Sequence, residues 1–152
     1  MLPSLIFKQI MSSARVYDAL ILGSGPAGLS AALGLCRVHR TTAIFTKPDG
    51  AGFRNEGVTE MHNVLSRDGE HPKEFHRTAV EQIKKYGSTD FFEARIVRLR
   101  STELQKDDSV NSFEVHDIAG TVWRGRKLVL AMGSVDVFPD IEGYKENWPE
   151  NM

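Results

Sequence analysis

The stretch that decides the fold is Asp18-Ala-Leu-Ile-Leu-Gly-Ser-Gly-Pro-Ala-Gly-Leu-Ser-Ala-Ala32. Its apolar start is typical of a buried strand in a parallel sheet. Gly23, Gly25 and Gly28 follow in the G-x-G-x-x-G spacing, so the sequence predicts a tight turn that opens a helix near Pro26. In such a turn the first glycine permits the sharp bend and the third lets helix and strand pack closely.

This turn predicts a binding site for the diphosphate of a dinucleotide. The second glycine of the motif, Gly25, lets the backbone approach the phosphates because it has no side chain. The first N–H groups of the helix have no partner within the helix, and its dipole is positive at that end. Both properties favour an anion at this position.

Length and composition indicate a single soluble domain. The chain has 152 residues, of which 41% are hydrophobic and 26% charged, which is ordinary for a globular protein. A net charge of −1 with scattered basic residues argues against nucleic acid as a partner. Apolar runs stay below the roughly 18–20 residues of a membrane span. The single cysteine, Cys36, falls in the first predicted helix and is expected to be a buried structural thiol in the cytoplasm.

The first 16 residues are expected to form a flexible tail. They contain Lys8, Arg15 and three serines without an acidic residue, so organelle targeting is the less favoured alternative. Beyond the tail, the patterns predict two helices and several strands. The predicted helices span 26–39 and 72–86, and the predicted strands span 42–46, 90–99, 112–116, 121–124 and 127–131, with turns at 117–120 and at Gly125.

The order of these elements separates two kinds of dinucleotide site. A nicotinamide-binding domain would continue as regular β-α-β units, but here the second strand is followed by a long polar segment, residues 47–70. Segments of this length within a compact domain are usually functional. An antiparallel meander then replaces further crossover units, which is the layout of FAD domains in two-dinucleotide flavoproteins. FAD is therefore favoured, and an NAD-binding module remains the alternative.

Four further motifs resemble one family of flavoproteins. They are Arg54-Asn55, Met61-His-Asn-Val-Leu-Ser-Arg-Asp-Gly69, Lys127-Leu-Val-Leu-Ala-Met-Gly133 and Phe138-Pro-Asp-Ile-Glu-Gly143. With the glycine turn they are similar to thioredoxin-reductase-like flavoproteins, the class II pyridine nucleotide-disulfide oxidoreductases, in the branch of gliotoxin-type dithiol oxidases. The resemblance implies an α/β, Rossmann-like FAD-binding domain with a parallel sheet, a crossover helix and an antiparallel β-meander. Residues 17–144 would be its N-terminal part and 145–152 a tail, with the domain incomplete at the C-terminus.

The resemblance also implies roles for matching positions. The turn residues would meet the FAD pyrophosphate through backbone N–H groups, Thr46 would approach the adenosine ribose and Ile96 the adenine edge. Asn63 would reach the flavin portion, and Ala131 and Gly133 would close over the cofactor from the far side. The full set of expected cofactor-binding residues is Gly23, Ser24, Gly25, Pro26, Ala27, Gly28, Thr46, Arg54, Asn55, His62, Asn63, Ile96, Ala131 and Gly133.

Some of these positions carry alternatives or depart from the family pattern. Arg54 would balance phosphate charge or cap its loop, and His62 is included because it precedes Asn63 in the FAD loop. Thr46 stands where many dinucleotide sites have an acid that accepts hydrogen bonds from the ribose. Met132 replaces the usual threonine of the closing A-T-G turn. The histidines lack the spacing and the partner cysteines of a metal site.

The family resemblance implies an oxidoreductase that acts on dithiol or disulfide substrates. Family members carry an NADPH domain with a second glycine turn and a Cys-x-x-Cys pair, and they commonly form homodimers. None of these motifs occurs in the 152 residues, and dithiol chemistry needs two thiols. The chain by itself is therefore expected to bind FAD without turnover and to have no catalytic residues of its own. A truncated, non-enzymatic product is the alternative.

Overall fold

The computed structural model describes residues 15–48, 53, 55, 57–103 and 111–147. Each helix begins at a proline, which is favoured in the first turn because its missing N–H has no partner there. In chain order the elements are β1 (Val16–Leu22), α1 (Pro26–Arg37), β2 (Thr42–Thr46), α2 (Pro72–Lys84), β3 (Thr89–Glu93), β4 (Ile96–Glu103), β5 (Asn111–Asp117) and β6 (Val122–Leu130).

The six strands form one mixed sheet in the order β3-β2-β1-β6-β5-β4. The central strand β1 pairs in parallel with β2 and with β6, and β3 extends the parallel part beyond β2. Leu22 is in register with Phe45 of β2 and with Leu130 of β6, so the carboxyl ends of these strands meet at one edge. The antiparallel strands β4 and β5 complete the sheet beyond β6.

One face of the sheet packs against the two helices. Ile21 and Ile44 from the central strands meet Leu29 of α1 and Ile83 of α2 in a buried apolar cluster. Cys36 belongs to the same cluster, and its thiol donates a hydrogen bond to the Leu33 carbonyl at 3.2 Å. Burial raises the pKa of this thiol, because the charged thiolate is disfavoured away from water. The prediction of a buried structural thiol is confirmed.

Aromatic side chains build the core on the other face. Phe45, Phe92 and Trp123 pack together with ring centroids 5.1–5.5 Å apart. Tyr17 meets the edge of Phe92, and its hydroxyl donates to the Asp90 carboxylate at 2.9 Å. This hydrogen bond satisfies the polar end of a tyrosine that is 2% exposed, so the ring can be buried without an unpaired hydroxyl.

The predicted single strand over 90–99 is wrong, because the structure has two strands there. β3 ends at Glu93, where the Ala94 N–H still donates to the Thr46 carbonyl at 2.8 Å. β4 begins at Ile96 and lies at the opposite edge of the sheet, where it pairs antiparallel with β5. The side-chain pattern on both sides of the break is typical of a strand. It does not reveal that the residues up to Glu93 pair with β2 and those from Ile96 onward pair with β5.

The predicted turn at Gly125 is also wrong. This glycine lies inside β6, paired with Tyr17 of β1 and Phe113 of β5. A Cβ atom at Gly125 would lie 2.6 Å from Cγ of Leu20, a side chain that is fully buried. Only glycine fits at this position, because Leu20 occupies the space that the Cβ atom of any other residue would need. The antiparallel meander is therefore formed by β4, β5 and the single strand β6.

Most of the predicted terminal tails, residues 1–14 and 148–152, lies outside the described residues. In the described part of the chain, no helix is both long and apolar enough to cross a membrane. The same residues contain no group of three or more histidine, cysteine, aspartate or glutamate side chains arranged to hold a metal ion.

We expect Gly125→Ala to lower the free energy of unfolding by about 1–3 kcal/mol, because the new methyl group overlaps a buried leucine. Chemical denaturation measures this change. Gly34→Ala is the control, since no described atom lies within 4 Å of its added Cβ, and we expect it to stabilise α1 by up to about 1 kcal/mol. Equal stability of the two variants would contradict the packing explanation.

Candidate functional site

A cavity of about 880 Å³ opens at the edge where the strands β1, β2 and β6 end. Ligands bind at this edge in open α/β sheets. The wall combines the glycine turn, the ends of β2 and β6, three residues after β2 (53, 55 and 58) and residues 94–96. The lining residues are Leu22, Gly23, Ser24, Gly25, Pro26, Ala27, Phe45, Thr46, Lys47, Phe53, Asn55, Val58, Ala94, Arg95, Ile96, Leu130, Ala131, Met132 and Gly133.

Backbone contacts between three segments shape the turn. A Cβ at Gly23 would overlap the Ala131 carbonyl oxygen, and Gly23 also has a φ of +105°, which disfavours any other residue. A Cβ at Gly28 would overlap the Gly23 carbonyl oxygen. The end of β1, the start of α1 and the end of β6 therefore touch through their main chains. This contact places the start of α1 at the cavity.

Gly25, the N-cap of α1, leaves space for a ligand instead. It has ordinary extended backbone angles, φ −69° and ψ −178°, which any residue could adopt. Among the described atoms, only Phe53 reaches within 4.0 Å of an added Cβ. The described part of the helix start has no side-chain cap and no acidic residue in its first turn. Its N–H groups and positive dipole end are therefore available to an anion in the cavity.

A hydroxyl pair ties the end of β2 to the glycine turn. The Thr46 hydroxyl donates to Oγ of Ser24 at 2.7 Å, and Ser24 is 3% exposed. Thr46 is the position where many dinucleotide sites carry an acid. With its proton directed to Ser24, the Thr46 oxygen keeps lone pairs to accept a hydrogen bond from the cavity.

The structure brings most of the sequence-predicted site residues to one cavity. Ten of them line it: Gly23, Ser24, Gly25, Pro26, Ala27, Thr46, Asn55, Ile96, Ala131 and Gly133. Gly28 supports the turn by packing against Gly23 and is not part of the wall. Arg54 lies outside the described residues.

His62 and Asn63 lie in a separate hairpin closed by a bridge between Met61 and Glu70, and they do not contribute to the cavity wall. Asn63 has a φ of +64°, and its N–H donates to the Asp68 carboxylate at 2.9 Å. The His62 Nδ1 lies 3.6 Å from the same carboxylate. Both side chains are exposed, and their roles toward a cofactor stay predictions.

Sequence reasoning missed several residues of the wall, notably Phe53, Val58 and Arg95. Phe53 and Val58 are apolar, but the same segment also contains Met61, Val64 and the exposed Leu65, so the sequence holds no signal that marks the first two as wall residues. Phe53 also contacts the imidazole of His76 on α2, with ring centroids 5.3 Å apart. Arg95 could have been found only from the break between β3 and β4.

Residues 17–152 match the family model described as "Pyridine nucleotide-disulphide oxidoreductase". The chain belongs to this family. The match spans the glycine turn, the sheet and the closing segment after β6. It confirms the resemblance on which the sequence prediction relied.

Within the pyridine nucleotide-disulphide oxidoreductases, the chain is similar in sequence to several fungal thioredoxin reductases. The chain is 41% identical over 143 residues to "Thioredoxin reductase tcpT" of Claviceps purpurea (strain 20.1), covering 93% of this chain and 42% of that protein. It is 41% identical over 134 residues to "Thioredoxin reductase sirT" of Leptosphaeria maculans, covering 88% of this chain and 38% of that protein. The chain thus resembles fungal thioredoxin reductases and spans less than half of their length.

The fold agrees with solved structures of the family. The crystal structure of HlmI superposes with a TM-score of 0.77 at 29% identity, covering 89% of this chain and 40% of that one. The predicted Rossmann-like FAD-binding fold, with a parallel sheet, crossover helix and antiparallel meander, is therefore confirmed.

Gly28→Ala is expected to lower the free energy of unfolding by at least about 1–3 kcal/mol, because its methyl group would force α1 away from the Gly23 carbonyl. Urea denaturation followed by circular dichroism measures the change. Gly34→Ala, the same substitution on the exposed side of α1, serves as the control. A Gly28→Ala protein as stable as the control would show that the close contact is not required.

Proposed function

We propose that this chain binds FAD and forms the N-terminal FAD-binding part of a thioredoxin-reductase-like oxidoreductase. The observation that supports it best is the uncapped start of α1, which opens on the cavity at Gly25 without a side chain in the way. Family membership and the similarity to fungal thioredoxin reductases point to the same cofactor.

In this proposal the diphosphate occupies the space beside Gly25. Backbone N–H groups of Ser24, Gly25 and Ala27 hold the phosphate oxygens, and the helix dipole favours their negative charge. The position of Gly25 in the wall fits this role, since an added Cβ would point into the open cavity. The Phe53 ring borders this space, because its Cδ1 atom lies 4.0 Å from that added Cβ.

Each of the remaining wall residues is proposed to contact a different part of the cofactor. Thr46 accepts a hydrogen bond from the adenosine ribose, while Ile96 meets the adenine edge. Ala131 and Gly133 cover the cofactor from the side of β6. Asn63 is proposed to reach the flavin portion, and His62 to belong to the same FAD loop. Arg54 is proposed to balance phosphate charge or to cap its loop, and Asn55 to contact the cofactor. FAD supplies the redox chemistry when bound, and the chain contributes position and electrostatics.

We further propose that the oxidoreductase activity on dithiol or disulfide substrates belongs to the longer proteins that this chain resembles. A dithiol–disulfide exchange needs two thiols within bonding distance. Cys36 is the single cysteine in the 152 residues, and its side chain is fully buried between α1 and the sheet, where burial raises its pKa. The chain alone therefore holds the cofactor without exchanging dithiol electrons. NADPH, a disulfide substrate and homodimer formation are proposed for the longer form only.

Gly25→Ser tests the assignment of the diphosphate site. Serine is a favourable N-cap and has room here, so we expect stability to stay equal or to rise by up to about 1 kcal/mol. Its side chain caps the N–H groups that the phosphates need, so FAD affinity should fall at least about tenfold, ~1.4 kcal/mol. Denaturation measures the first effect, and titration of FAD fluorescence measures the second.

Gly34→Ser is the matched control for this prediction, because the same substitution lies on an exposed part of α1 away from the cavity. We expect it to leave FAD affinity unchanged. Unaltered FAD binding by Gly25→Ser would contradict the proposed diphosphate site. Binding of NAD(H) with no binding of FAD by the unsubstituted chain would favour the NAD-binding alternative.

A further inference from the structure

Two cations and no acid border the cavity, as far as the described residues form its wall. Lys47 and Arg95 are the ionisable residues of that wall, and both are exposed. Neither side chain forms an ion pair with another described residue. Asp49, the acid nearest to Lys47 along the chain, lies outside the described residues. The described wall therefore carries a charge of about +2 near neutral pH.

The strand order places both cations beside the residues assigned to adenosine. Lys47 directly follows Thr46 at the end of β2, and Arg95 directly precedes Ile96 in the break after β3. The ends of β2 and β3 are in register with the end of β1, so they lie about 5 and 10 Å from it, one and two strand spacings away. The cations are thus displaced from the glycine turn toward the adenosine end of the cavity.

This end of the cavity also lacks the carboxylate that would repel a phosphate. In many dinucleotide sites an acid at the end of the second strand binds the ribose hydroxyls, whereas a nearby arginine accommodates a phosphate on the ribose. Thr46 stands at that position and is uncharged. Glu93, which is in register with Thr46 on β3, does not line the cavity. The described wall therefore offers positive charge at the ribose without an opposing acid.

We propose that Lys47 and Arg95 form a subsite for a phosphate group on the adenosine ribose. The matching class of ligand is an adenosine 5′-diphosphate compound with a phosphate ester on the 2′ or 3′ hydroxyl. This inference goes beyond FAD, whose ribose carries no such phosphate, but it rests on the positions that the proposed FAD site gives to the diphosphate and the adenosine.

The charges and donors of the subsite match a phosphate ester. Such a group carries about −1.5 to −2 charges near pH 7, which the two cations balance. The guanidinium of Arg95 has the planar pair of donors that binds two phosphate oxygens, and the ammonium of Lys47 adds a compact positive charge. Thr46 still accepts a hydrogen bond from the ribose hydroxyl that carries no phosphate.

The experiment uses three nucleotides that differ only at the ribose: ADP, 2′-phospho-ADP and 3′-phospho-ADP. Each competes with FAD for the full 152-residue chain, and the fluorescence of released FAD reports the displacement. At low ionic strength we expect one phosphorylated nucleotide to displace FAD at about tenfold lower concentration than ADP does. The isomer that shows this gain identifies the ribose position that the subsite binds.

The double variant Lys47→Gln/Arg95→Gln should bring the affinity ratio between that nucleotide and ADP close to one. Lys73→Gln/Lys127→Gln is the matched control, because it removes the same charge at two exposed residues outside the wall. The control should keep the ratio of the unsubstituted chain. An equal loss of affinity for all three nucleotides in the first variant would assign its cations to the diphosphate and overturn the subsite.

A salt series on the unsubstituted chain decides the matter if the double variant does not fold. Exposed cations are screened by salt, so the ratio should fall toward one between about 0.05 and 0.5 M salt. A ratio that stays at about tenfold throughout would contradict binding by these two residues.

Failure of the subsite can be told apart from failure of the proposed function. Binding of FAD, with no gain for either phosphorylated nucleotide over ADP, overturns the subsite and leaves the FAD site intact. Absence of FAD binding overturns the proposed function, and the inference with it, because both use the same diphosphate position.

Discussion

The structure depends on one close contact between three backbone segments. The Gly23 carbonyl lies where a Cβ of Gly28 would be, and the Ala131 carbonyl lies where a Cβ of Gly23 would be. Because atoms cannot overlap, this contact exists only if both positions are glycine. It joins the end of β1 to the start of α1 and to the end of β6. The edge of the sheet and the helix N-terminus therefore meet at one place, where the cavity opens.

Folding and binding use different glycines of the same motif. Gly23 and Gly28 are required by the packing of the main chain, whereas an added Cβ at Gly25 would meet, of the described atoms, only the Phe53 ring, at an ordinary contact distance of 4.0 Å. Gly25 is needed only if a ligand occupies the space beside it, which is the physical basis of the proposed FAD site. The Thr46 hydroxyl donates a hydrogen bond to Oγ of Ser24, so the end of β2 holds the glycine turn before any ligand arrives.

Local sequence patterns predicted where helices and strands lie better than they predicted which strands pair with each other. The strand β2 (Thr42–Thr46) and the starts of both helices agree with prediction, because prolines and β-branched residues act locally. The break between β3 and β4 was missed, since alternating side chains do not reveal that the chain crosses to the opposite edge of the sheet. Gly125 was misread because glycine serves both turns and tight packing, and only the buried Leu20 decides between them.

The sequence by itself determined the glycine turn, the strand and helix that flank it, and the family to which the chain belongs. These follow from short-range spacing, since the residues of the motif are neighbours along the chain. Only the tertiary structure decided that Phe53 and Arg95 share a wall with the turn, that His62 and Asn63 lie outside that wall, and that Phe53 contacts His76. Those contacts depend on the strand order and on the path of the long segment after β2, which local propensities do not encode.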